Sequence, residues 1–490
     1  MKSELEVPDP GRRLSSEPPL AVDLDGTLFR VDTLWEGVAR MLRRDPQGLL
    51  LLPLFCVRGK PYLKRMVAER SGLLAEHLPW NEAVVAFLEE EKAQGRRLLL
   101  VSGADFELAK RLTEKSGLFE EWWTTEEKVN LIGKRKGQRL VEVFGEGGFD
   151  YLGNSMVDVE VWSQCRRVHV TNPDPGVLRR LRQMGKEFEF HGDLPRPWRS
   201  GVRQLRCHQW VKNLLVLVPL LASHRFYSAE MTATGLAFLC FSLGASSVYL
   251  LNDLLDLEHD RKHPVKRFRP AAVGEVPVLW LFAGAPVLAM VALGLSLVFL
   301  PPSFTLTLGF YFFLTLAYSF RLKQVAMVDV VVLAMLYTLR IVGGAFAIGV
   351  VPSPWILAFS LLMFTSLAFA KRHGEIMGMW ADPHRPEGEQ VPGRGYRLEH
   401  SAFLPGVGML AGTGAVVVAG FYAVDENTRE LYAHPEYLWG VLPVFLFWLN
   451  RLWRFADRGV LHADPVLFAV KDPFSWLCGI ALVGIGLAAL

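Results

Sequence analysis

The sequence has few of the features that mark zinc-binding, disulfide-stabilised or nucleic-acid-binding proteins. Its 490 residues contain only five cysteines, and no two of them form a Cys-x-x-Cys pair. A zinc site and a disulfide framework are therefore not expected, and the thiols fit a reducing compartment. The net charge is only +3, and no basic stretch alternates with aromatic residues. Nucleic acid is therefore not an expected partner.

The beginning of the chain also lacks the apolar core of a signal peptide. Residues 1–19 are polar and contain proline, a composition typical of a disordered tail. At 490 residues the chain is long for one domain, and its two parts differ in composition. We therefore expect a soluble domain over 20–190, a basic linker over 191–206 along an anionic membrane surface, and a membrane domain over 207–490.

The first motif follows an apolar stretch near the start of the soluble part. Residues 19–28 read PLAVDLDGTL, which predicts a buried strand that delivers Asp23 and Asp25 into a tight turn. Two carboxylates two residues apart face the same way only on an extended backbone. One aspartate can attack phosphorus while the other moves a proton, with Mg²⁺ reducing their mutual repulsion. This motif resembles that of the haloacid-dehalogenase-like phosphatases.

That resemblance implies an α/β, Rossmann-like fold with a small helical cap over 30–95. It places Ser102 and Gly103, at the end of an apolar strand, on the phosphate, together with Lys136; Lys134 is the alternative lysine. It also implies Mg²⁺ ligands in the stretch FDYLGNSMVD.

The Mg²⁺-binding stretch departs from the family pattern. The family usually has two acids there, whereas this chain has Asn154 at the first position and Asp158 at the second. An amide oxygen can bind Mg²⁺ but brings less charge, so a non-catalytic domain is the alternative to a phosphatase.

The second part of the chain contains nine apolar runs. Each approaches the length of about 20 residues that a bilayer-spanning helix requires. They lie at approximately 211–223, 232–252, 278–300, 303–320, 325–350, 355–370, 402–424, 437–450 and 473–490. The sequence therefore predicts an all-α, multi-span membrane bundle of about nine transmembrane helices.

Cationic residues concentrate in every second connection between these runs. By the positive-inside rule, those connections and the soluble domain are expected in the cytoplasm. The predicted active sites then lie at the cytoplasmic face of an integral, multi-pass membrane protein.

The stretch NDLLDLEHDRKHPVKRFRP, residues 252–270, is the strongest candidate site in the membrane part. On a helix, Asp253, Asp256 and Asp260 fall within roughly 60° of one another. Carboxylates this close repel unless cations neutralise them, so the pattern indicates Mg²⁺ that holds a phosphorylated ligand. A solvated helix end is the alternative. Asp329 and Arg340 lie inside apolar runs, where a charge is costly unless it is partnered.

These residues, with the stretches QWVKN at 209–213, YSFRLK at 318–323 and KRHGE at 371–375, resemble the UbiA-type intramembrane prenyltransferases. They resemble most the branch that includes decaprenyl-phosphate phosphoribosyltransferase. The resemblance implies transfer of 5-phosphoribose from phosphoribosyl pyrophosphate to a polyprenyl phosphate, with Mg²⁺, in a bacterial inner membrane.

The resemblance also implies roles for individual residues. Asp253 and Asp256, with Asp260, would hold Mg²⁺ and pyrophosphate as the catalytic acids. The further substrate-binding residues that it implies are Lys212, Tyr249, Asn252, Lys266, Arg267, Arg269, Tyr318, Arg321, Lys323, Asp329, Arg340, Lys371 and Arg372.

Two other functions fit the same residues. An aromatic prenyltransferase would use the aspartates to bind a prenyl diphosphate. A transporter or lipid-binding module would keep the metal site without catalysis. If the chain transfers 5-phosphoribose, the 5-phosphate of the product would be a substrate for the fused phosphatase domain.

Overall fold

The computed structural model describes residues 17–125, 131–192, 197–381, 391, 394–461 and 465–490. Residues 1–16, most of the predicted disordered tail, lie outside the described residues. The chain divides into two compact units. The first comprises Met1–Leu205 and Leu250–Gly284, and the second comprises Arg206–Tyr249 and Ala285–Leu490. The aspartate-containing stretch therefore belongs to the same compact unit as the N-terminal part.

A six-stranded parallel sheet forms the centre of the first unit. Its strands are β1 (Leu20–Val22), β2 (Leu98–Asp105), β3 (Glu121–Thr125), β4 (Asp150–Gly153), β5 (Val168–Val170) and β6 (Phe188–Phe190). The strand order is β3-β2-β1-β4-β5-β6, which is that of a doubly wound Rossmann-type sheet. The central strands are apolar and buried because helices cover both faces of a parallel sheet.

Ten helices lie in the described residues before 206. They are α1 (Thr33–Arg44), α2 (Pro46–Leu50), α3 (Leu52–Val57), α4 (Lys60–Ser71), α5 (Glu82–Ala93), α6 (Phe106–Thr113), α7 (Lys134–Phe144), α8 (Val159–Trp162), α9 (Val177–Gln183) and α10 (Pro197–Gln204). Short 3₁₀ turns lie at Ala75–His77, Glu114–Ser116 and Met156–Asp158. Helix α10 lies within the predicted linker.

The helices between β1 and β2 fall into two groups. Helices α1 to α4 form the predicted cap, and Val38, Met41 and Val67 make a small core of their own. The carboxylate of Asp32 caps α1 by accepting hydrogen bonds from Leu34 N and Trp35 N. Helix α5 instead packs Val84 and Leu88 into the core against the sheet. The cap therefore ends before α5 rather than at residue 95.

The remaining helices form the membrane part and its connections. They are α11 (Val218–Ala222), α12 (Ser228–Leu255), α13 (Leu257–Lys262), α14 (Val278–Phe299), α15 (Pro302–Phe320), α16 (Val328–Ala347), α17 (Pro354–Ala381), α18 (Leu404–Val424), α19 (Glu426–Arg429), α20 (Val441–Asp457), α21 (Pro465–Lys471) and α22 (Pro473–Ala489). Further 3₁₀ segments are Cys207–Leu217, Lys266–Phe268, Leu322–Gln324, Leu398–Ala402 and Pro435–Gly440.

The prediction of nine membrane spans is not confirmed. Over the part of the chain that the structure describes, six helices are long and apolar enough to cross a bilayer: α12, α14, α15, α16, α17 and α18. The pair α21 and α22, bent by 88°, adds at most a seventh.

Two of the nine apolar runs do not form one helix of spanning length. The run at 211–223 lies in a 3₁₀ segment followed by the five-residue helix α11. The run at 437–450 is divided between a 3₁₀ turn and α20, whose 17 residues end in a charged turn. An apolar composition does not reveal where a helix breaks. The sequence therefore predicts more helices of spanning length than the structure has over its described residues.

Small residues let the membrane helices of the second unit approach closely. A Cβ atom at Gly344 of α16 would lie 2.2 Å from the carbonyl oxygen of Val216, and one at Gly408 of α18 would lie 2.3 Å from the ring of Trp453. Close helix packing of this kind replaces the hydrophobic drive that is missing within lipid.

Candidate active sites

The first candidate site lies at the carboxyl ends of β1, β2 and β4, where the strand order reverses and doubly wound sheets bind their ligands. Asp23 follows β1, and its Oδ1 lies 3.1 Å from Lys136 Nζ. The Asp25 carboxylate accepts a 2.8 Å hydrogen bond from Thr33 N at the start of α1. Gly26, directly after Asp25, has φ +72°, which a residue with a side chain rarely adopts. The structure thus brings Asp23, Asp25 and Lys136 together.

Burial sets the electrostatics of this site. It raises the pKa of Asp23 to about 7 in spite of Lys136, and it raises the pKa of Asp25 to about 6, helped by the nearby Asp32. Burial alone would lower the pKa of Lys136, but the Asp23 and Asp158 carboxylates outweigh it and raise that pKa. Too little positive charge therefore surrounds the two aspartates to stabilise both carboxylates. A divalent cation bound to the carboxylate oxygens would supply it.

Asn154 also lies at the first turn. A Cβ atom added to Gly26 would lie 2.2 Å from Asn154 Nδ2, and the Thr27 hydroxyl is 3.4 Å from Asn154 Oδ1. The residues Asp23, Asp25 and Asn154 thus offer the oxygen donors that Mg²⁺ prefers. The donor set fits a magnesium ion.

Asp158 is buried behind this turn and is held on all sides. It accepts hydrogen bonds from the Tyr151 hydroxyl (2.8 Å), from Ser155 N (2.9 Å) and Ser155 Oγ (2.8 Å), and from Asn154 N (3.2 Å). Lys136 Nζ donates to the same Tyr151 hydroxyl at 2.8 Å. Asp158 therefore fixes the loop that carries Asn154 and helps to place Lys136. Its role as a direct metal ligand remains a prediction.

Ser102 and Gly103 lie within β2, which continues to Asp105 and does not end at Gly103 as the sequence predicted. Ser102 is fully buried, and its Oγ accepts a hydrogen bond from Ala104 N at 3.1 Å. The carbonyl oxygen of Gly103 accepts hydrogen bonds from Thr125 Oγ1, at 2.9 Å, and from Lys64 Nζ.

Sequence reasoning missed Lys64, which belongs to cap helix α4. Its pKa is lowered by burial, against the opposing effect of Asp25 and Asp32. No motif spacing identifies this lysine, because it reaches the site only through the fold of the cap. It adds a second cation to the phosphate side of the site.

The second candidate site lies at the end of α12 and in α13. The buried Asp253 accepts hydrogen bonds from Gln204 Nε2 at 2.6 Å and from Arg269 Nη1 at 3.2 Å. Arg269 Nη1 also pairs with the buried Asp260. Asp256 stands half-buried at the junction of the two helices. One guanidinium thus bridges two of the three predicted acids. Gln204, which the sequence did not single out, holds the first acid from α10.

Asn252 is the part of this site that most clearly calls for a ligand. Its Oδ1 is buried, and no residue that the structure describes donates a hydrogen bond to it. A buried acceptor without a donor costs free energy unless a ligand or metal satisfies it. With Asp253, Asp256 and Asp260 it makes an oxygen donor set that fits Mg²⁺. Lys266 and Arg267 are exposed, and Arg267 lies over the ring of Phe268.

The second unit contains a buried cluster around Asp329. Its carboxylate is 2.5 Å from Arg372 Nε and accepts a 2.5 Å hydrogen bond from the Tyr396 hydroxyl. The Tyr318 hydroxyl accepts hydrogen bonds from Arg372, at 3.1 Å, and from Arg394, at 2.8 Å. Three predicted residues, Asp329, Tyr318 and Arg372, therefore meet here. Tyr396 and Arg394 were not predicted because the loop that carries them is remote in sequence.

Arg340, also in the second unit, is buried among neutral partners. Its Nε donates to Asn213 Oδ1 at 2.7 Å and its Nη2 to the Tyr311 hydroxyl at 3.1 Å, and its guanidinium lies 5.0 Å from the Tyr311 ring. Within the described ranges no carboxylate pairs with it. The neighbouring Asn213 and Tyr311 were not predicted.

The other predicted residues of the second unit occupy less buried positions. The Tyr249 ring lies 5.3 Å from the guanidinium of Arg206. Lys212, Lys323 and Lys371 are half-buried, and Arg321 is exposed at the end of α15. The geometry leaves their roles as predictions.

Known proteins resemble both parts of the chain. Residues 215–377 match the model of the UbiA prenyltransferase family. The uncharacterized protein y4nM of Sinorhizobium fredii is 35% identical over 467 residues, which cover 94% of this chain and 89% of the relative. Decaprenyl-phosphate phosphoribosyltransferase of Mycobacterium tuberculosis is 32% identical over 288 residues, 58% of this chain and 91% of the relative. A substrate-bound phosphoserine phosphatase structure aligns at 13% identity and TM-score 0.26, covering 34% of this chain and 91% of its own.

Proposed function

Because this chain belongs to the UbiA prenyltransferase family and has an N-terminal haloacid-dehalogenase-like domain, we propose that it is a polyprenyl-phosphate phosphoribosyltransferase. It transfers 5-phosphoribose from phosphoribosyl pyrophosphate to a polyprenyl phosphate. The observation that carries this proposal is the 32% identity over 91% of a relative with that named activity. An integral, multi-pass membrane protein suits a lipid acceptor.

The residues at the end of α12 suit the binding of pyrophosphate. Asp253, Asp256 and Asp260, with Asn252, would hold Mg²⁺. When bound, this ion would neutralise charge on the pyrophosphate leaving group. Arg269, already placed between Asp253 and Asp260, would stabilise the negative charge that develops as the bond to ribose C1 breaks.

The acceptor needs no strong general base. A polyprenyl phosphate is anionic near neutral pH, so its oxygen forms the new bond to ribose C1 while pyrophosphate departs. The predicted cationic contacts of the two phosphorylated substrates are Lys212, Lys266, Arg267, Arg321, Lys323, Arg340, Lys371 and Arg372, with Tyr249, Tyr318 and Asp329 as polar contacts.

The N-terminal domain would then remove the 5-phosphate from the product. Asp23 attacks phosphorus, the bond from phosphorus to the sugar oxygen breaks, and Asp25 donates its proton to that oxygen. Water next attacks the aspartyl phosphate and gives its proton to Asp25, which releases phosphate and restores both residues.

Other residues of the same site would hold the phosphoryl group. Lys136, the Ser102 hydroxyl and the Gly103 amide would donate hydrogen bonds to the phosphoryl oxygens. Lys64 would add a further positive charge. Mg²⁺ held by Asp23, Asp25 and Asn154 would reduce the repulsion between the attacking carboxylate and the phosphate. We place both reactions at the cytoplasmic face of a bacterial inner membrane.

The transfer step can be tested with a single carboxylate. Asp253→Asn keeps the shape of the side chain but removes its charge. In the full-length protein we expect at least a 100-fold loss, on the order of removing one electrostatic contact to the transition state, in transfer from phosphoribosyl pyrophosphate. Asp457→Asn, at an exposed helix end, serves as the matched control and should transfer normally. Equal rates for both variants would contradict the assignment.

The phosphatase step has its own test. Phosphate release from lipid-linked phosphoribose by the full-length protein is compared with release by Asp23→Asn. Loss of the nucleophile should reduce release by about 1,000-fold or more, while the transfer reaction continues. Release that is unchanged in Asp23→Asn would dismiss hydrolysis by this domain.

A further inference from the structure

The first unit contains a cavity of about 320 Å³ that neither candidate active site includes. One wall is cap helix α1, and the other is the segment 254–261 that carries Asp256 and Asp260. Its size lies at the lower end of the range for small-molecule sites, about 300–1,000 Å³. The charged residues that line it are Glu36, Arg40, Arg43, Arg44, Glu258 and Arg261.

The lining carries more positive than negative charge. Both carboxylates already have arginine partners: Glu36 binds Arg261 through two hydrogen bonds of 2.6 and 3.0 Å, and Glu258 lies 2.6 Å from Arg40. Arg43 donates only to an imidazole nitrogen, that of His259, at 2.8 Å. Within the described ranges, no carboxylate pairs with Arg43 or Arg44. The cavity lining therefore carries positive charge that its own carboxylates do not neutralise.

Arg40 gives the second and independent sign of a ligand. It is only 6% exposed, and its Nη1 lies 2.6 Å from the Glu258 carboxylate and 2.6 Å from His77 Nδ1. Its Nε, however, is buried and finds no acceptor among the described residues. A buried guanidinium N–H without an acceptor costs free energy, so the positive charge of Arg40 at the cavity wall is incompletely compensated.

We infer that this cavity binds a phosphate monoester. Phosphate oxygens match the forked donors of arginine, and four arginines against two carboxylates at one cavity suit a dianion better than a carboxylate ligand. The inference rests on the proposed function for its biological source. A lipid-linked sugar 5-phosphate is the compound that would be made at the end of α12 and consumed at the site of Asp23 and Asp25.

The position of the cavity supports that source. Helix α1 starts one residue after Asp32, and its first N–H groups contact both Asp25 and Asp32. The opposite wall continues directly from the acids of α12 and α13. A phosphate held here would contact both the helix that starts at the first site and the segment that carries Asp256 and Asp260.

Binding of ribose 5-phosphate to the full-length protein tests the inference. The protein carries Asp23→Asn to prevent hydrolysis, is kept in phosphatidylcholine nanodiscs, and is treated with EDTA so that Mg²⁺-dependent binding is suppressed. The double variant Arg43→Gln, Arg44→Gln should weaken the remaining binding at least tenfold. The control Arg179→Gln, Arg182→Gln removes the same charge from exposed positions on α9 and should bind normally. Arg40→Lys, which keeps the charge but loses Nε, should also weaken binding.

The outcomes separate this inference from the proposed function. Equal affinities in all variants, or no EDTA-resistant binding, would overturn the cavity site even if transfer and hydrolysis are intact. Weaker binding in the Arg43, Arg44 variant supports the site even if the transferase assay fails. Phosphatidic acid in the nanodiscs then identifies the source. If it competes with ribose 5-phosphate, the ligand is a lipid headgroup; if it does not compete, the ligand is a sugar phosphate.

Discussion

His169 shows how one residue can make a strand of the first unit sensitive to pH. It lies on β5, is 2% exposed, and its Nδ1 is 3.0 Å from His191 Nε2 and 3.5 Å from Glu189 Oε2. The ring of Phe87 from α5 lies against both imidazoles. Burial, followed by the neighbouring His191, lowers the pKa of His169 to about 4. The more distant charges that act on it are those of Asp150, Arg96 and Arg167.

The folded state therefore favours neutral His169. Its contribution to stability is complete above its ordinary pKa of about 6.5 and is lost as the pH falls toward 4. At pH 5 we expect β5 and β6 to lose about 2 kcal/mol of protection. Hydrogen exchange of their amides in the full-length protein, corrected for intrinsic rates, measures this. His169→Gln should remove most of the pH dependence, and an unchanged dependence would contradict the assignment.

Residue types with a local signature were predictable from the sequence. Asp23 and Asp25 follow an apolar strand, Ser102 lies within another, and the carboxyl ends of parallel strands meet at one edge of the sheet. Lys136 belongs to the stretch GKRKG at the start of α7. Lys64 and Tyr396 were not predicted, because each reaches its site from a segment whose position depends on the tertiary fold. Asp158 was predicted as a metal ligand, but its hydrogen bonds to Tyr151 and Ser155 could not be read from spacing.

At the scale of elements, the turn after the 3₁₀ segment Lys266–Phe268 packs tightly against Arg30 and Val31, just after the first motif. Gly274 in this turn has φ +80°. A Cβ atom there would lie 2.9 Å from Arg30 Cβ, 2.9 Å from Val31 Cγ1 and 3.1 Å from the carbonyl oxygen of Arg30. Backbone atoms cannot move aside as a flexible side chain can.

Gly274→Ala should therefore be destabilising. The strained backbone conformation alone costs about 1–3 kcal/mol, and the contacts with Arg30 add to it. We expect a lower midpoint of thermal unfolding for the purified full-length protein. Gly294→Ala is the matched control, since that glycine is inside α14 and its added Cβ meets open space. A midpoint equal to that of the control would contradict this expectation, because the turn would then accommodate the added Cβ atom without strain.

The membrane elements show where apolar patterning fails. Six predicted runs coincide with helices of spanning length, because long uninterrupted apolar stretches have few alternatives in lipid. The runs at 211–223 and 437–450 do not form one helix of that length, because 3₁₀ geometry and a charged turn interrupt them. Hydropathy responds to composition, whereas the length of a helix depends on where its hydrogen bonds stop.

At the scale of the whole molecule, the two proposed activities would occur in one chain in a fixed chemical order. The relative that matches 94% of this chain includes both the soluble and the membrane part, so the combination is shared. A transferase that leaves a 5-phosphate and a phosphatase that removes it need only the same membrane face. The proposal therefore requires the N-terminal domain to be cytoplasmic.

Cys56 offers a direct test of that orientation. It is exposed on cap helix α3, and no disulfide engages it. A membrane-impermeant maleimide should label it in inverted inner-membrane vesicles and not in intact cells. Cys56→Ser identifies any labelling of the other cysteines. Labelling of Cys56 in intact cells would reverse the orientation and place the soluble domain outside.

The central claim is that the acidic end of α12 serves a phosphoribosyl donor, and one labelling experiment tests it most directly. Membranes containing the protein receive polyprenyl phosphate together with phosphoribosyl pyrophosphate labelled in the ribose. Parallel membranes receive a labelled prenyl diphosphate with an aromatic acceptor. The account predicts Mg²⁺-dependent ribose label in the lipid fraction, absent in Asp253→Asn. Prenyl label on the aromatic acceptor, with no ribose label in lipid, would contradict it.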